Sequence, residues 1–272
     1  MGATMGYKDF LRRLQIKFPT SLLFLTINLE NFFRGTRTKI VRTSSKGIYL
    51  ATDHNYKLYF CQPKRSILYS HGLTHRLLHL AEIYFLDNLK LNDRAIFLDC
   101  GANIGEVSVY VQDKFGASII AIEPEKLEFD CLTRNITDNK ATLFNGVVWD
   151  KKGVLTFYSK AHSADSSLIE FEKDLITFNV EATTVDELLK NYSDNTSIVL
   201  KIEAEGAEPE VIRGAFDSLP SVKYVVVDGS PERGYSRDRT EDLNDQLLIN
   251  QFEFKKNQSN QRIQFYENPK LN

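Results

Sequence analysis

From about residue 94 onward, segments with the apolar pattern of a β-strand alternate with segments that have the pattern of an α-helix. Residues 95–100 are apolar on both faces, as expected of a strand buried within a parallel sheet. Residues 104–115 follow with the 3.6-residue period of a helix. Strand and helix patterns continue to alternate through most of the remaining sequence. This alternation predicts an α/β fold with a mostly parallel sheet.

The same reasoning assigns the remaining elements of this region. Predicted strands occupy residues 118–123, 142–148, 154–158, 197–202 and 222–228, with 154–158 expected to pair near 142–148. Predicted helices occupy residues 126–138, 184–192, 207–216 and 240–250, and the second of these opens on a capping box. Residues 252–254 and 263–266 are expected to form an antiparallel hairpin.

The first ninety residues are less regular. Residues 7–35 carry two helical apolar stripes, residues 47–61 have the pattern of a β-hairpin, and residues 74–89 predict a helix that leads into the α/β region. We therefore expect an N-terminal helical and β-hairpin extension over residues 1–70 and a larger domain over residues 71–272.

A strand, a glycine turn and a helix occupy residues 97–110, and a second apolar run ends at Glu123. Gly101 permits a sharp turn, and Gly105 lets the helix start close to a ligand. An acid at the end of the second strand can accept hydrogen bonds from a ribose, so the pattern predicts a site for an adenosyl group. The alternative is an ordinary buried strand–turn–helix with an unrelated Glu123.

Carboxylates at the predicted strand ends discriminate between adenosyl cofactors. Ligands of an open α/β sheet bind outside the carboxyl ends of its strands. Five acids are expected there: Asp99, Glu123, Glu203, Glu205 and Asp228. They would repel the pyrophosphate of a nicotinamide dinucleotide and attract the sulfonium of S-adenosylmethionine, by about 4 kcal/mol for a pair ~4 Å apart at an effective dielectric constant of ~20. Glu106 also stands where the dinucleotide fingerprint requires a small residue.

Several motifs together resemble the FkbM family of S-adenosylmethionine-dependent methyltransferases. The matching stretches are residues 98–105, 122–124, 184–188, 200–208 and 211–215, and the resemblance extends over roughly residues 70–230. The family usually has an aspartate at the position of Glu203 and a larger aliphatic residue at Ala204. The resemblance implies a Rossmann-like class I methyltransferase sheet, mostly parallel with a C-terminal antiparallel hairpin.

The resemblance also implies an activity and a cofactor site. The expected reaction is transfer of a methyl group from S-adenosylmethionine to an oxygen, often a sugar hydroxyl of a glycan or natural product. Cofactor contacts are expected along residues 99–105 for the methionine end, at Glu123 and Pro124 for the ribose, and after the third strand for the adenine. The named residues are Asp99, Gly101, Ala102, Asn103, Gly105, Glu123, Pro124, Asn145, Gly146 and Val147.

A catalytic role is expected at the end of the fourth strand of the sheet. Lys201, Glu203 and Glu205 would share one face if the extended conformation continued past the strand. A sugar hydroxyl is a poor nucleophile, so Glu203 or Glu205 is expected to act as general base, with Lys201 keeping the acids ionised. These acids are also the expected ligands if a divalent metal is used. The alternative is a structural ion pair with acids that stabilise a helix start.

Histidines supply a second set of candidates. His71, His75 and His79 recur every four residues, but the outer two would lie ~12 Å apart on a helix, too far to share one metal ion. His75 and His79 could instead contact the acceptor, or form a packing face. His162, in the polar loop 159–167, and Asp228 are further candidates for the acceptor site, with an ordinary solvent loop the alternative for the former.

Charge and cysteine content bear on partners and location. The net charge of −2 argues against nucleic-acid binding, but residues 1–50 contain nine Lys/Arg and only two Asp/Glu. Beside an apolar helical stripe, such residues can hold a protein peripherally on an anionic membrane, and residues 1–46 are the candidate segment. The alternative is a helical subdomain or dimer contact with a solvated basic face. Three sparse cysteines without metal spacing suit the reducing cytoplasm. The oligomeric state stays open.

The sequence therefore leaves three functions of different classes open. The leading one is an O-methyltransferase acting on a sugar, with another small-molecule hydroxyl as the variant acceptor. A nicotinamide-dependent oxidoreductase and a non-catalytic adenosyl-binding module are the alternatives.

Overall fold

The computed structural model describes residues 15, 17–159, 168, 175–192, 196–229, 252–257 and 263–271. The chain divides into two compact units, Met1–His79 and Leu80–Asn272, and each is described separately. The predicted domain boundary after residue 70 stays a prediction. Within the described ranges, every helix is too short or too polar to cross a membrane.

A helix and a small antiparallel sheet make up the N-terminal unit. Helix α1 (Thr20–Arg34) is followed by strands β1 (Lys39–Arg42), β2 (Tyr49–Thr52) and β3 (Lys57–Phe60), paired in the order β1-β2-β3. A 3₁₀ segment (Pro63–Tyr69) leads to helix α2 (Leu73–Ile83).

Local chemistry explains the ends of these elements. Helix α1 ends at Gly35, whose left-handed φ of 69° allows its N–H to bond the last turn. The predicted hairpin at 47–61 is confirmed as β2–β3, and the Asp53 carboxylate closes its turn by accepting the N–H groups of Asn55 and Tyr56. Strand β1 was not predicted, because it is only four residues long and buries just one of them, Ile40.

The C-terminal unit is built on a seven-stranded sheet with the order β12-β13-β11-β10-β4-β5-β6. Its strands are β4 (Ile96–Cys100), β5 (Ser118–Ile122), β6 (Thr142–Phe144), β10 (Ile198–Ile202), β11 (Val222–Asp228), β12 (Glu253–Asn257) and β13 (Ile263–Glu267). Its helices are α3 (Glu106–Phe115), α4 (Lys126–Asn135), α5 (Val185–Leu189) and α6 (Glu208–Arg213). The five strands from β11 to β6 are parallel, and β13 and β12 run antiparallel to them. The predicted mostly parallel sheet with its closing hairpin is confirmed.

The two central strands lie within the apolar core of this unit. All five residues of β4 and all five of β10 are buried, as expected of strands covered on both faces. The strands pair in register, so that Lys201 lies opposite Asp99 and Ile202 opposite Cys100. This register brings two charged residues side by side at the carboxyl edge of an otherwise apolar sheet.

The third strand differs from its prediction. The expected strand 142–148 is broken at Gly146 into β6, which stays in the main sheet, and β7 (Val147–Val148), which leaves it. Strands β7, β8 (Gly153–Ser159) and β9 (Ile176–Thr183) form a separate sheet in the order β7-β9-β8. The predicted strand 154–158 therefore pairs with β9, which was missed and which lies between it and β7. Strand β9 was missed because most of its outer residues are exposed and it follows a polar loop.

Five predicted helices, α2 to α6, are shorter than expected, with α2 ending at Ile83 and α5 covering only Val185–Leu189. Helix α3 starts two residues later, α4 ends at Asn135, and α6 covers only Glu208–Arg213. Helix α4 ends because Ile136 adopts an extended conformation, with φ −104° and ψ 103°, and the Asn135 side-chain amide next to it donates to the carbonyl of Ile104 at 2.7 Å. The predicted helix 240–250 lies outside the described residues.

Gly101 allows the closest approach between the two central strands. Its φ is +76°, and a Cβ built there would lie 1.9 Å from the carbonyl oxygen of Glu203. Any side chain would therefore force the end of β10 away from β4 and would also strain the backbone.

We expect Gly101→Ala to destabilise the fold, because it adds both a left-handed-conformation penalty of about 1–2 kcal/mol and a backbone clash. The melting temperature measured by differential scanning calorimetry should fall by roughly 4 °C or more. Gly153→Ala is the matched control, because a Cβ there meets nothing within 4 Å. An equal melting temperature for the two variants would contradict the close approach.

Candidate active site

The turn after β4 is held by an acid from the next strand. Asn103 adopts the left-handed conformation, with φ +51°, and donates its N–H to Glu123 Oε2 at 2.8 Å. Glu125 donates its N–H to the other oxygen, Oε1, at 2.9 Å. The N–H of Ala102, itself buried, bonds the carbonyl of Ile122 at 2.9 Å. The glycine turn and the end of β5 therefore form one fixed unit around the Glu123 carboxyl.

Burial changes the protonation of Glu123. The residue is 5% exposed, and burial raises its pKa to about 8, with the neighbouring charge of Glu128 adding to the effect against the two backbone N–H donors. Each carboxyl oxygen accepts one backbone bond and has a second lone pair. Acceptor capacity therefore remains for hydroxyls of a ribose placed against this strand end.

The residues predicted for the adenine lie beside this acid. The side-chain amide of Asn145 donates to the carbonyls of Glu123 and Pro124 at 2.9 and 3.0 Å. Gly146 donates its N–H to the Glu123 carbonyl at 3.3 Å, and Val147 is buried at the start of β7. The structure thus brings together the residues predicted for ribose and adenine at one end of the sheet.

Gly105 permits a close approach between two helices. A Cβ at this position would lie 2.6 Å from the Leu132 side chain of α4, and its φ is +85°. The close approach that requires glycine is therefore between the start of α3 and helix α4. The expected approach of a ligand to Gly105 stays a prediction.

Lys201 is the centre of a buried charge cluster. Its ammonium donates to Asp99 Oδ1 at 2.8 Å and to the carbonyl of Gly101 at 3.1 Å, and it lies 3.0 Å from Glu203 Oε2. Asp99 accepts a second bond from the Ser108 hydroxyl at 2.6 Å. The Lys201 side chain is 2% exposed and that of Asp99 is fully buried.

Glu203 is the member of this cluster that reaches solvent. Its side chain is 32% exposed, and its Oε2 accepts a bond from the Tyr84 hydroxyl at 2.6 Å as well as contacting Lys201. Burial opposes the charge of Lys201, but the adjacent Asp99 and Glu203 outweigh it and hold its pKa above the usual value. Burial, and then the charge of Glu203, raise the pKa of Tyr84 well above its usual value. A cation and a neutral hydroxyl therefore both act as fixed donors to Glu203.

Glu205 does not share the face of Lys201 and Glu203 by strand alternation, as was expected. Strand β10 ends at Ile202, and Glu205 lies in a turn with a φ of +45°. The turn is held by Glu208, whose Oε1 accepts the N–H groups of Ala204 and Gly206, each at 3.0 Å. The condition for alternation, a continuing extended backbone, is not met.

The predicted wall of acids is weaker than the sequence suggested. Asp99 is neutralised by Lys201 at 2.8 Å, and Glu123, with a pKa of about 8, is mostly protonated at neutral pH. Asp228 ends β11 and contributes to the raised pKa of Tyr84, which places its charge near the cluster. Five full negative charges at the strand ends therefore overstate the field that would attract a cationic cofactor.

The histidines are arranged along one face. The ring centroids of His71 and His75 are 5.6 Å apart, and those of His75 and His79 are 6.5 Å apart. Within the described residues, no three His, Cys, Asp or Glu side chains are grouped so that they could hold a metal ion. His162 and residues 160–167 of its loop lie outside the described residues.

Sequence reasoning missed three residues that shape the site. Tyr84 contacts an acid 119 positions away, and Ser108 contacts Asp99 from the first turns of α3, so neither has a local pattern that identifies it. Glu208 was part of the family motif, but its role as the acceptor for the turn was not recognised.

The chain is similar to known methyltransferases in sequence. The family model described as the methyltransferase FkbM domain matches residues 99–261, more than half of the chain. The hexuronic acid methyltransferase AglP of Haloferax volcanii is 28% identical over 145 residues, covering 49% of this chain and 55% of that protein. The methyltransferase sdnD of Sordaria araneosa is 27% identical over 184 residues, covering 53% of this chain and 69% of that protein. The chain thus spans about half the length of the archaeal relative.

Solved methyltransferase structures align over most of the chain at low identity. The TYW2 protein of M. jannaschii in complex with AdoMet is 12% identical, covers 83% of this chain and 85% of its own, and has a TM-score of 0.39. The N-terminal domain of human METTL16 is 13% identical, covers 98% and 96%, and has a TM-score of 0.42. The family match also covers the glycine turn, Glu123 and the Lys201 cluster. The chain belongs to the FkbM family of S-adenosylmethionine-dependent methyltransferases.

Proposed function

We propose that the enzyme methylates a hydroxyl of a sugar within a glycan or glycoconjugate. The observation that carries this proposal is the partly exposed Glu203 carboxylate, oriented by Lys201 and Tyr84 at the carboxyl edge of the sheet. A hydroxyl must lose its proton during methyl transfer, and an oriented carboxylate can accept it. The name of the hexuronic acid methyltransferase relative supports a sugar acceptor.

Family membership supports one of the three functions that the sequence left open. It favours methyl transfer over a nicotinamide-dependent oxidoreductase or a non-catalytic adenosyl-binding module. Within methyl transfer, another small-molecule hydroxyl remains the alternative acceptor.

The proposed cofactor site uses the fixed unit around Glu123. Its carboxyl would accept the ribose hydroxyls, since it is anchored by two backbone N–H groups and keeps lone pairs. Asn145, Gly146 and Val147 would flank the adenine, and the turn from Gly101 to Gly105 would hold the methionine end. S-adenosylmethionine supplies a methyl group already activated by a sulfonium.

Asp99 is assigned a positioning role in this site. Its side chain is fully buried and its two oxygens accept bonds from Ser108 and Lys201. Direct contact with the cofactor would require this cluster to open. We therefore assign Asp99 to fixing Lys201 and the turn.

Glu203 is the proposed general base. Lys201 and Tyr84 hold its Oε2 in place, and its partly exposed carboxylate can accept a proton from the acceptor hydroxyl. Asp99 has the same charge but is inaccessible. Glu205 lies in the following turn, so the acceptor would have to bind in a different orientation for Glu205 to take its proton.

We expect Glu203→Gln to lower kcat by about 10²–10⁴-fold, because the amide cannot accept the proton. The affinity for S-adenosylmethionine, measured by calorimetry, should stay within a few fold. Glu205→Gln is the matched control and should lower kcat less than tenfold. Full activity of Glu203→Gln with a folded protein would remove Glu203 from catalysis.

Tyr84→Phe tests whether the Tyr84 hydroxyl acts by positioning Glu203. Loss of the hydroxyl removes one of the two donors that orient Glu203, so kcat should fall less than in Glu203→Gln and its pH profile should shift. An unchanged pH profile would show that the Tyr84 bond does not act through Glu203.

The pKa of Glu123 predicts a pH-dependent cofactor affinity. Below about pH 8 the free protein holds Glu123 protonated, whereas two donating ribose hydroxyls favour the ionised form. Binding should therefore release a proton below this pH, so the Kd should fall as the pH rises and level off above about 8. Calorimetry with S-adenosylhomocysteine in buffers of different ionisation enthalpy measures this release. Glu123→Gln should bind more weakly and lose the protein's part of the pH dependence; an unchanged pH dependence in this variant would contradict the assignment.

The acceptor class is tested by labelled methyl transfer. Oligosaccharides with and without hexuronic acids, nucleotide-sugars and non-sugar alcohols are incubated with the enzyme and methyl-labelled S-adenosylmethionine. We expect an alkali-stable methyl ether on a sugar. An alkali-labile methyl ester would point instead to a carboxylate acceptor, which needs no base, and Glu203→Gln should then retain activity. Transfer to non-sugar alcohols alone would contradict the sugar proposal.

A further inference from the structure

Helix α1 carries large apolar side chains on its exposed face. Five of them are between 42% and 81% exposed, and the two phenylalanines at its C-terminal end are the most exposed of the set. The exposed stripe consists of Leu22, Leu25, Leu29, Phe32 and Phe33. The rings of Phe32 and Phe33 pack edge to face, with centroids 5.6 Å apart.

The stripe lies opposite the face that α1 buries. At about 100° per residue, its five members fall within a sector about 100° wide. The buried residues Leu23, Phe24, Ile27 and Asn31 centre about 180° from it. The helix therefore needs only one of its apolar faces to fold within the N-terminal unit.

Exposed basic residues lie at the end of α1 and on the segment that follows it. Strand β1 is hydrogen-bonded to α1 through the Asn28 side chain. Its Oδ1 accepts the Ile40 N–H at 2.7 Å, and its amide donates to the Ile40 carbonyl at 2.9 Å. Arg42 also bonds the Ser21 hydroxyl near the start of the helix, at 3.1 Å. The exposed basic side chains within residues 17–46 are Lys17, Arg34, Arg37, Lys39, Arg42 and Lys46. Glu30 is the single acid within residues 17–46.

We propose that this face of the N-terminal unit docks on an anionic membrane surface. The exposed stripe would enter the interface, and the basic residues near it would meet lipid headgroups, the pattern of an interfacial amphipathic helix. The charge argues against a second copy of the chain as the occupant. A two-fold dimer would place this basic face against itself, and like charges would oppose the contact.

Sedimentation of the full chain with vesicles tests the proposal. Vesicles of phosphatidylcholine alone are compared with vesicles containing about one third phosphatidylserine or phosphatidylglycerol. We expect binding to the anionic vesicles that weakens as the salt concentration rises. Removing two charges with Arg34→Gln and Lys39→Gln should weaken partitioning about 25-fold, since each basic residue contributes about fivefold, equivalent to about 1 kcal/mol.

The apolar stripe is tested by Phe32→Ser with Phe33→Ser, which should abolish binding while the melting temperature stays unchanged, because both rings are exposed. Phe216→Ser is the matched apolar control, since Phe216 is 66% exposed and lies in the other unit. Lys140→Gln with Lys151→Gln is the charge control, since both are exposed and lie in the other unit. Both controls should bind anionic vesicles like the unaltered chain.

Three outcomes would overturn the proposal. They are absence of binding to anionic vesicles, equal binding to neutral and anionic vesicles, and equal loss in a control and its test variant. A concentration-dependent dimer in size-exclusion chromatography that Phe32→Ser with Phe33→Ser disrupts, together with absent vesicle binding, would assign the face to a second copy instead.

Discussion

The buried ion pair between Lys201 and Asp99 constrains the site more than any other interaction. Both side chains are almost fully removed from water, which costs several kcal/mol for each ion unless geometry and further hydrogen bonds compensate. The compensation is visible: Asp99 also accepts from Ser108, and Lys201 also donates to the Gly101 carbonyl. Because removal of one partner leaves a buried charge uncompensated, the two strands that carry them are held in one register.

That register fixes the parts of the site that face outward. Lys201 lies opposite Asp99 only when β4 and β10 pair as they do, and the same ammonium then reaches Glu203 beyond the end of β10. The Gly101 turn must pass within contact of the Glu203 carbonyl, which explains why no side chain is tolerated there. The structural ion pair and the proposed general base, which were alternatives at the level of sequence, therefore share the Lys201 ammonium.

Sequence patterns over a few residues predicted the elements whose structure depends on neighbouring residues. The buried strands, the glycine turn, the hairpin β2–β3 and the acid at the end of β5 all follow from spacing within a few residues. Strands β1 and β9 were missed because they bury few residues and depend on partners elsewhere. Tyr84 could not be found, since its bond to Glu203 exists only after the chain has folded. The protonation of Glu123 was missed for the same reason, because it depends on burial by the whole unit.

The departure from the family pattern at Glu203 has a physical interpretation in this cluster. A glutamate carboxylate extends about one methylene further than an aspartate, roughly 1.5 Å. With that reach, its Oε2 meets both the Tyr84 hydroxyl and the Lys201 ammonium while a third of the side chain stays exposed. An aspartate on the same backbone would have to give up one of these donors, or the end of β10 would have to move toward them. The end of β10 lies so close to the turn that a Cβ at Gly101 would be 1.9 Å from the Glu203 carbonyl oxygen, and from this position the longer acid reaches both donors.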